Sequence, residues 1–130
     1  MNKDSCIFCK LADDGSENIC ENDLFYAKYD ANPVSEGHAL IIPKKHIVSF
    51  FELSAVEVEQ FYKLLGEVHV LVDATHKPDG YNVGVNEGTE AGRTVHHLHA
   101  HIIPRYKGDV ENPVGGIRNV IPEKGDYLNK

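Results

Sequence analysis

Imidazoles alternate with apolar side chains across Val95-His96-His97-Leu98-His99-Ala100-His101-Ile102-Ile103-Pro104. A period of two marks a β-strand, in which successive side chains leave opposite faces. The pattern predicts a strand over Thr94–Ile103 with His97, His99 and His101 on one face, at intervals of about 7 Å. A hydrophobic core does not favour such a row. Each neutral imidazole buried without a partner costs roughly 1–3 kcal/mol. A metal or a phosphate is the natural reason to keep the row.

Three chemistries fit the row itself. Histidines at i and i+2 form zinc half-sites, but three in a straight strand span about 13 Å, too far for one shared ion. A neutral imidazole is also a competent nucleophile toward phosphorus, with a pKa near working pH. The third reading is purely structural histidines.

The 130 residues suit one domain, 1–130, and a 42% hydrophobic content is enough for a core. Thirteen Lys and Arg against twenty Asp and Glu leave a net charge of -7. That balance argues against bulk nucleic-acid or anionic-membrane binding. The charge is unevenly spread. Residues 37–51 and 91–108 contain no Asp or Glu, yet carry Lys44, Lys45, Arg93, Arg105, Lys107 and six of the eight His. Brought together, they predict an anion-accepting pocket on an acidic protein. Met1-Asn2-Lys3-Asp4 opens no signal peptide and no apolar run reaches membrane-spanning length, so a cytoplasmic location is expected. In that compartment the three cysteines suit metal ligation or free thiols better than disulfides.

Along the chain, Cys6–Leu11 reads as a short helix or turn, stopped by Asp13-Asp14-Gly15-Ser16. Ile19–Glu21 and Leu24–Tyr29 read as strands joined by the turn pair Asn22-Asp23, and Ala39–Ile42 as an apolar strand stopped by Pro43. Ser54 with Glu57 forms a capping-box pattern, and Val58, Phe61, Leu65, Val68 and Val72 recur at helical spacing. A helix over Ala55–Thr75 follows, ending before Lys77-Pro78-Asp79-Gly80, and Tyr81–Asn86 reads as a strand. The order gives an α+β domain, a mainly antiparallel five-stranded sheet with one long helix and a short N-terminal helix. The core spans about 5–107. Asn112-Pro113 and Gly115-Gly116 predict an extended C-terminal tail over 108–130.

Cys6-Ile7-Phe8-Cys9 is a C-x2-C zinc half-site, which His46 and His97 are available to complete; an ordinary amphipathic turn is the alternative. Cys20 has no partner at motif spacing and reads as a small buried residue. There is neither a dinucleotide fingerprint nor a P-loop lysine, although the glycine-bearing loop Glu87–Gly92 is suited to bring backbone N–H groups to a phosphate. Asp30 suits a ribose diol or a turn. His69 and His76 read as surface residues on or just after the helix.

The segment His97-Leu98-His99-Ala100-His101-Ile102-Ile103 resembles the His-φ-His-φ-His-φ-φ signature of the histidine-triad (HIT) superfamily of nucleotide hydrolases and transferases. The likeness extends to Asn86–Val95, to Gly37–His46 and to Cys6–Lys10, and covers about residues 5–107. It implies a homodimer acting on a small nucleotide substrate. His99 would attack the α-phosphorus, form a covalent nucleotidyl-histidine and, after hydrolysis, release a monophosphate, typically AMP. The resemblance assigns the His97 carbonyl to the Nδ1 proton of His99, and His101 to the phosphate and leaving group. Asp30 matches the ribose-binding acid; His38, Asn86 and Thr94 match further pocket positions. Cys6, Cys9, His46 and His97 match the ligands of a structural Zn2+. Arg93 stands where the family usually carries Gln, which would favour polyphosphates through charge-assisted bonds. Ala100 replaces a larger apolar residue. The expected activity is hydrolysis at the α-phosphorus of adenylyl compounds, with dinucleoside polyphosphates as first substrates; adenosine phosphoramidates, or nucleotide binding for regulation with little turnover, are the alternatives.

Overall fold

A computed structural model describes residues 5–129. Its elements run α1 (Ile7–Asp14), β1 (Cys20–Glu21), β2 (Phe25–Tyr29), β3 (Ala39–Pro43), α2 (Ala55–His76), β4 (Gly80–Val85) and β5 (Ala100–Arg105). The five strands form one sheet in the order β1-β2-β3-β5-β4, with every neighbouring pair antiparallel. The expected α+β class and five-stranded sheet are observed. No helix among the described residues is long and apolar enough to cross a membrane.

Helix α2 starts where its capping box places it. Ser54 Oγ accepts the Glu57 N–H at 3.2 Å and Glu57 Oε1 accepts the Ser54 N–H at 2.8 Å, satisfying two otherwise orphaned donors. The buried stripe runs through Leu64, Val68 and Val72, an i, i+4, i+8 row, flanked by Phe61 and Leu65. Val58, assigned to that stripe from spacing, is exposed, because the contact face is centred on Leu64. Phe25, Ala27, Ala39, Ile41, Ala100 and Ile102 meet the stripe from one face of the sheet.

The opposite face carries Tyr26, Leu40 and Ile42, covered by Phe8, Leu11 and Ala12 of α1. Gly15 ends α1 in the left-handed region at φ 65°, donating its N–H to the Leu11 carbonyl, a geometry that favours glycine. The Tyr26 hydroxyl donates to the Phe8 carbonyl at 2.6 Å and pins the helix to β2.

Helix α1 runs on through Asp13 and Asp14 to its stop at Gly15, most other element ends shift by one residue, and two features differ more from the sequence reading. The histidine strand begins at Ala100, not Thr94, because its partner β3 ends at Pro43, which has no N–H to extend the ladder. Residues 95–99 instead make isolated bonds, such as Leu98 N–H to the Ile47 carbonyl at 2.7 Å. The tail is not extended. It folds into short 3-10 turns at Gly116–Val120 and Pro122–Lys124, held by Arg118 donating to the carbonyls of Gly125 and Lys124.

Candidate functional site

His97 and His99 divide where the irregular segment enters β5. The His97 side chain is fully buried and its Nδ1 turns toward α1. There it lies 3.3 Å from Cys6 Sγ, 3.5 Å from Cys9 Sγ and 3.3 Å from His46 Nδ1; Cys9 Sγ is 3.2 Å from His46 Nδ1. All four ligand atoms lie within 4.8 Å of one another. For Zn–S near 2.3 Å and Zn–N near 2.05 Å, a regular tetrahedron has N···N edges of about 3.3 Å and S···N edges of about 3.6 Å. The donor set and its spacing therefore fit a tetrahedral Zn2+. His97 Nε2–H donates to the Pro43 carbonyl at 2.8 Å, which fixes the ring with Nδ1 free for a metal. Burial holds the His97 pKa below its ordinary value, in keeping with a neutral ligand.

His99 points the other way. Its Nδ1–H donates to the His97 carbonyl at 2.8 Å, so the lone pair of the neutral ring sits on Nε2. Phe8 of α1 packs edge-on against the His99 ring at 5.0 Å and against His97 at 5.8 Å. His101 shares the sheet face of His99, with ring centroids 5.3 Å apart. The expected sharing of one face thus holds for His99 and His101, while His97, ahead of the strand, serves the cysteine cluster.

A second chain of bonds sets the His101 tautomer. The Val34 N–H donates to His38 Nδ1 at 3.1 Å, so the proton of neutral His38 is on Nε2. That Nε2–H donates to His101 Nδ1 at 2.9 Å, which leaves the His101 proton on Nε2. Asp30 Oδ2 lies 3.5 Å from His38 Nε2. The 2.9 Å contact is shorter than the N···N edge of about 3.3 Å in a tetrahedral metal site, so this trio is a hydrogen-bonded relay. Burial above all, then His99 and His38, push the His101 pKa down to about 4. Burial lowers that of His38 too, against the pull of Asp30.

His99 and His101 line a cleft of about 660 Å³ together with the polar Asp30, Asn86 and Thr94, Gly92, and the apolar Phe8, Leu11, Leu40 and Ile42. The amides of Ala91, Gly92 and Arg93 are bonded within the glycine loop, whereas those of Thr94 and Val95 have no acceptor among the described residues. Of the residues expected in the pocket, His38 reaches the cleft only through its bond to His101, and Arg93 stands apart. Its guanidinium donates to the Val48 carbonyl at 3.1 Å and lies 3.7 Å from Glu87, and it does not line the cleft. Glu87 also accepts the Phe50 N–H, so Arg93 braces the loop against residues 48–50. The basic stretches likewise spend Lys44 on Glu21 and Arg105 on Asp109. The cleft's one Lys or Arg among the described residues is Lys28, which composition did not flag. Its signal was a lysine in mid-strand, opposite the apolar face of α1. Ala100 leaves an apolar cleft of about 370 Å³ on the α2 side, lined in part by Phe50, Phe61 and Val85. Cys20 is partly buried against the core, not enclosed.

The HIT domain pattern matches residues 13–108. The chain belongs to the HIT family. Among its relatives, an uncharacterised HIT-like protein of Mycoplasma genitalium is 41% identical over 105 residues, spanning 79% of this chain and 74% of that protein. The bis(5'-adenosyl)-triphosphatase of Saccharomyces cerevisiae is 34% identical over 103 residues, covering 78% of this HIT protein and 47% of the yeast one. The crystal structure of a zinc-bound histidine triad family protein from Mycobacterium smegmatis superposes with a TM-score of 0.74 at 29% identity, covering 85% and 82% of the two chains.

Proposed function

We propose that this HIT protein is a hydrolase that cleaves nucleotides at the α-phosphorus, with dinucleoside polyphosphates as first substrates, through a nucleotidyl intermediate on His99. The observation that carries the reading is the His99 Nδ1–H bond to the His97 carbonyl, which presents the Nε2 lone pair to the cleft. In the first step His99 Nε2 attacks the α-phosphorus and the bond to the bridging oxygen breaks. The leaving polyphosphate departs as its anion, hydrogen-bonded by His101 Nε2–H. In the second step water attacks the same phosphorus, the P–N bond breaks with its electron pair returning to His99, and one proton passes to solvent. An adenylyl substrate then gives AMP.

Asp30 suits the ribose hydroxyls, and Asn86, Thr94 and the free amides of Thr94 and Val95 suit the phosphate oxygens. The Cys6, Cys9, His46 and His97 cluster suits a structural Zn2+, whose role is to hold α1 and the His97 backbone in place. The yeast relative's name supports the dinucleoside substrate class. A homodimer is part of the reading, supported by the edge strand β4 with Val83 and Phe51 exposed beside it. Sedimentation in solution tests it.

The decisive experiment is trapping. Labelled dinucleoside triphosphate is mixed with the protein, quenched in base, and digested. Label on the peptide holding His99 is expected; turnover with no labelled peptide, or undiminished turnover in His99→Ala, would overturn the mechanism.

A further inference from the structure

Lys28 is 9% exposed, in the middle of β2. The aliphatic stem is enclosed, while the ammonium opens into the cleft. Among the described residues its ammonium has no hydrogen bond and no ion pair, yet it lines the cleft that holds His99. Register places it. Lys28 pairs with Leu40, and Leu40 with His101, so the three lie in one row across β2, β3 and β5. At about 4.8 Å per strand, the Lys28 and His101 backbones stand about 10 Å apart. Asn86, Gly92 and Thr94 belong to the chain around β4 and β5, on the His101 side of Leu40. Lys28 therefore lies at the end away from those groups, in the part of the cleft lined by Leu40 and by Phe8 and Leu11 of α1. Glu17, on the turn after α1, lines the same cleft, and its carboxylate also has no partner among the described residues.

An ammonium needs acceptors and a carboxylate needs donors. Guanine offers O6 and N7 as acceptors, and N1–H and the N2 amino group as donors. Adenine shares the N7 acceptor but carries an amino group at position 6, where it would meet the ammonium donor to donor, and it lacks the N1–H and N2 donors for Glu17. We infer that Lys28, assisted by Glu17, makes the base end of the cleft select guanine over adenine. The inference rests on the reading of this cleft as a nucleotide site and specifies its base. It makes guanylyl compounds the preferred substrates and GMP the product released from them.

Calorimetric titration of the full chain with GMP and with AMP is the test. Wild type is expected to bind GMP at least about tenfold more tightly than AMP. Lys28→Met is expected to bring the two affinities together by weakening GMP, leaving AMP within about twofold. Lys28→Arg keeps the charge and the preference, and Glu17→Gln reduces the preference in part. Wild type binding AMP as well as or better than GMP would overturn the inference while leaving the nucleotide site intact. So would Lys28→Met weakening both equally, which would assign the ammonium to the phosphate. Binding of neither nucleotide by folded protein would defeat the nucleotide site and this inference together.

Discussion

Removing metal from the cysteine–histidine cluster is expected to cost stability first and activity second. Cys6 and Cys9 flank the start of α1, His46 follows β3, and His97 precedes β5. One ion there would cross-link segments 91 residues apart at Cys6 and His97, and 37 apart at Cys9 and His46. Ligand bound only by the folded state stabilises it by about 2.7 kcal/mol at a hundredfold excess over Kd, and by about 4.1 kcal/mol at a thousandfold. For a domain of 130 residues this corresponds to a fall in Tm on the order of 10 °C on stripping. Elemental analysis of protein made in zinc-replete medium should give one zinc per chain. Calorimetry with and without chelator should then show the shift, reversed by added zinc, and Cys9→Ser should behave as stripped protein in either condition. A purified chain without zinc, or a Tm that chelator moves by less than about 2 °C, would refute the argument from tetrahedral spacing.

His99→Ala should lower turnover by about 10⁴-fold or more while retaining nucleotide binding, measured by single-turnover kinetics beside titration. Stability should fall as pH drops from 6.5 toward 4, because His101 in the unfolded chain protonates at its ordinary 6.5 whereas burial holds it to about 4 when folded. The unfolded state then binds more protons, so the contribution is intact above pH 6.5 and at most about 3 kcal/mol is lost, read from urea titrations at stepped pH. Arg93→Gln should leave the ratio of kcat/KM for dinucleoside polyphosphate and phosphoramidate within about threefold, because the guanidinium rests on Val48 and Glu87. Leu64→Ala should cost about 3 kcal/mol by chemical denaturation, since the side chain is fully buried in the α2 stripe.

Local patterns were legible where one segment decides its own conformation. Ser54 and Glu57 named the start of α2 because the capping box is made within four residues. Cys6 and Cys9 were legible as a pair because their spacing alone presents two thiols to one side, where His46 and His97 meet them. Features decided by a neighbour were not. The start of β5 depends on Pro43 ending the strand beside it, and no period-two count over residues 94–103 contains that proline. Arg93 reads as a phosphate ligand until Glu87 and the Val48 carbonyl are seen to hold it. Lys28 enters the cleft lining only because α1 folds over that face of the sheet.

The acceptor that orients His99 is a main-chain carbonyl, that of His97. No substitution at position 97 can delete it; a substitution can only let it wander. The penalty for losing the His97 side chain should therefore appear as a spread of slow and fast molecules within one sample. Single-turnover traces of His97→Ala should be stretched or multi-exponential, with the fast fraction still near the native rate. Precision at His99 is a property of where the backbone is anchored, and the anchor lies on the far side of His97 from the cleft.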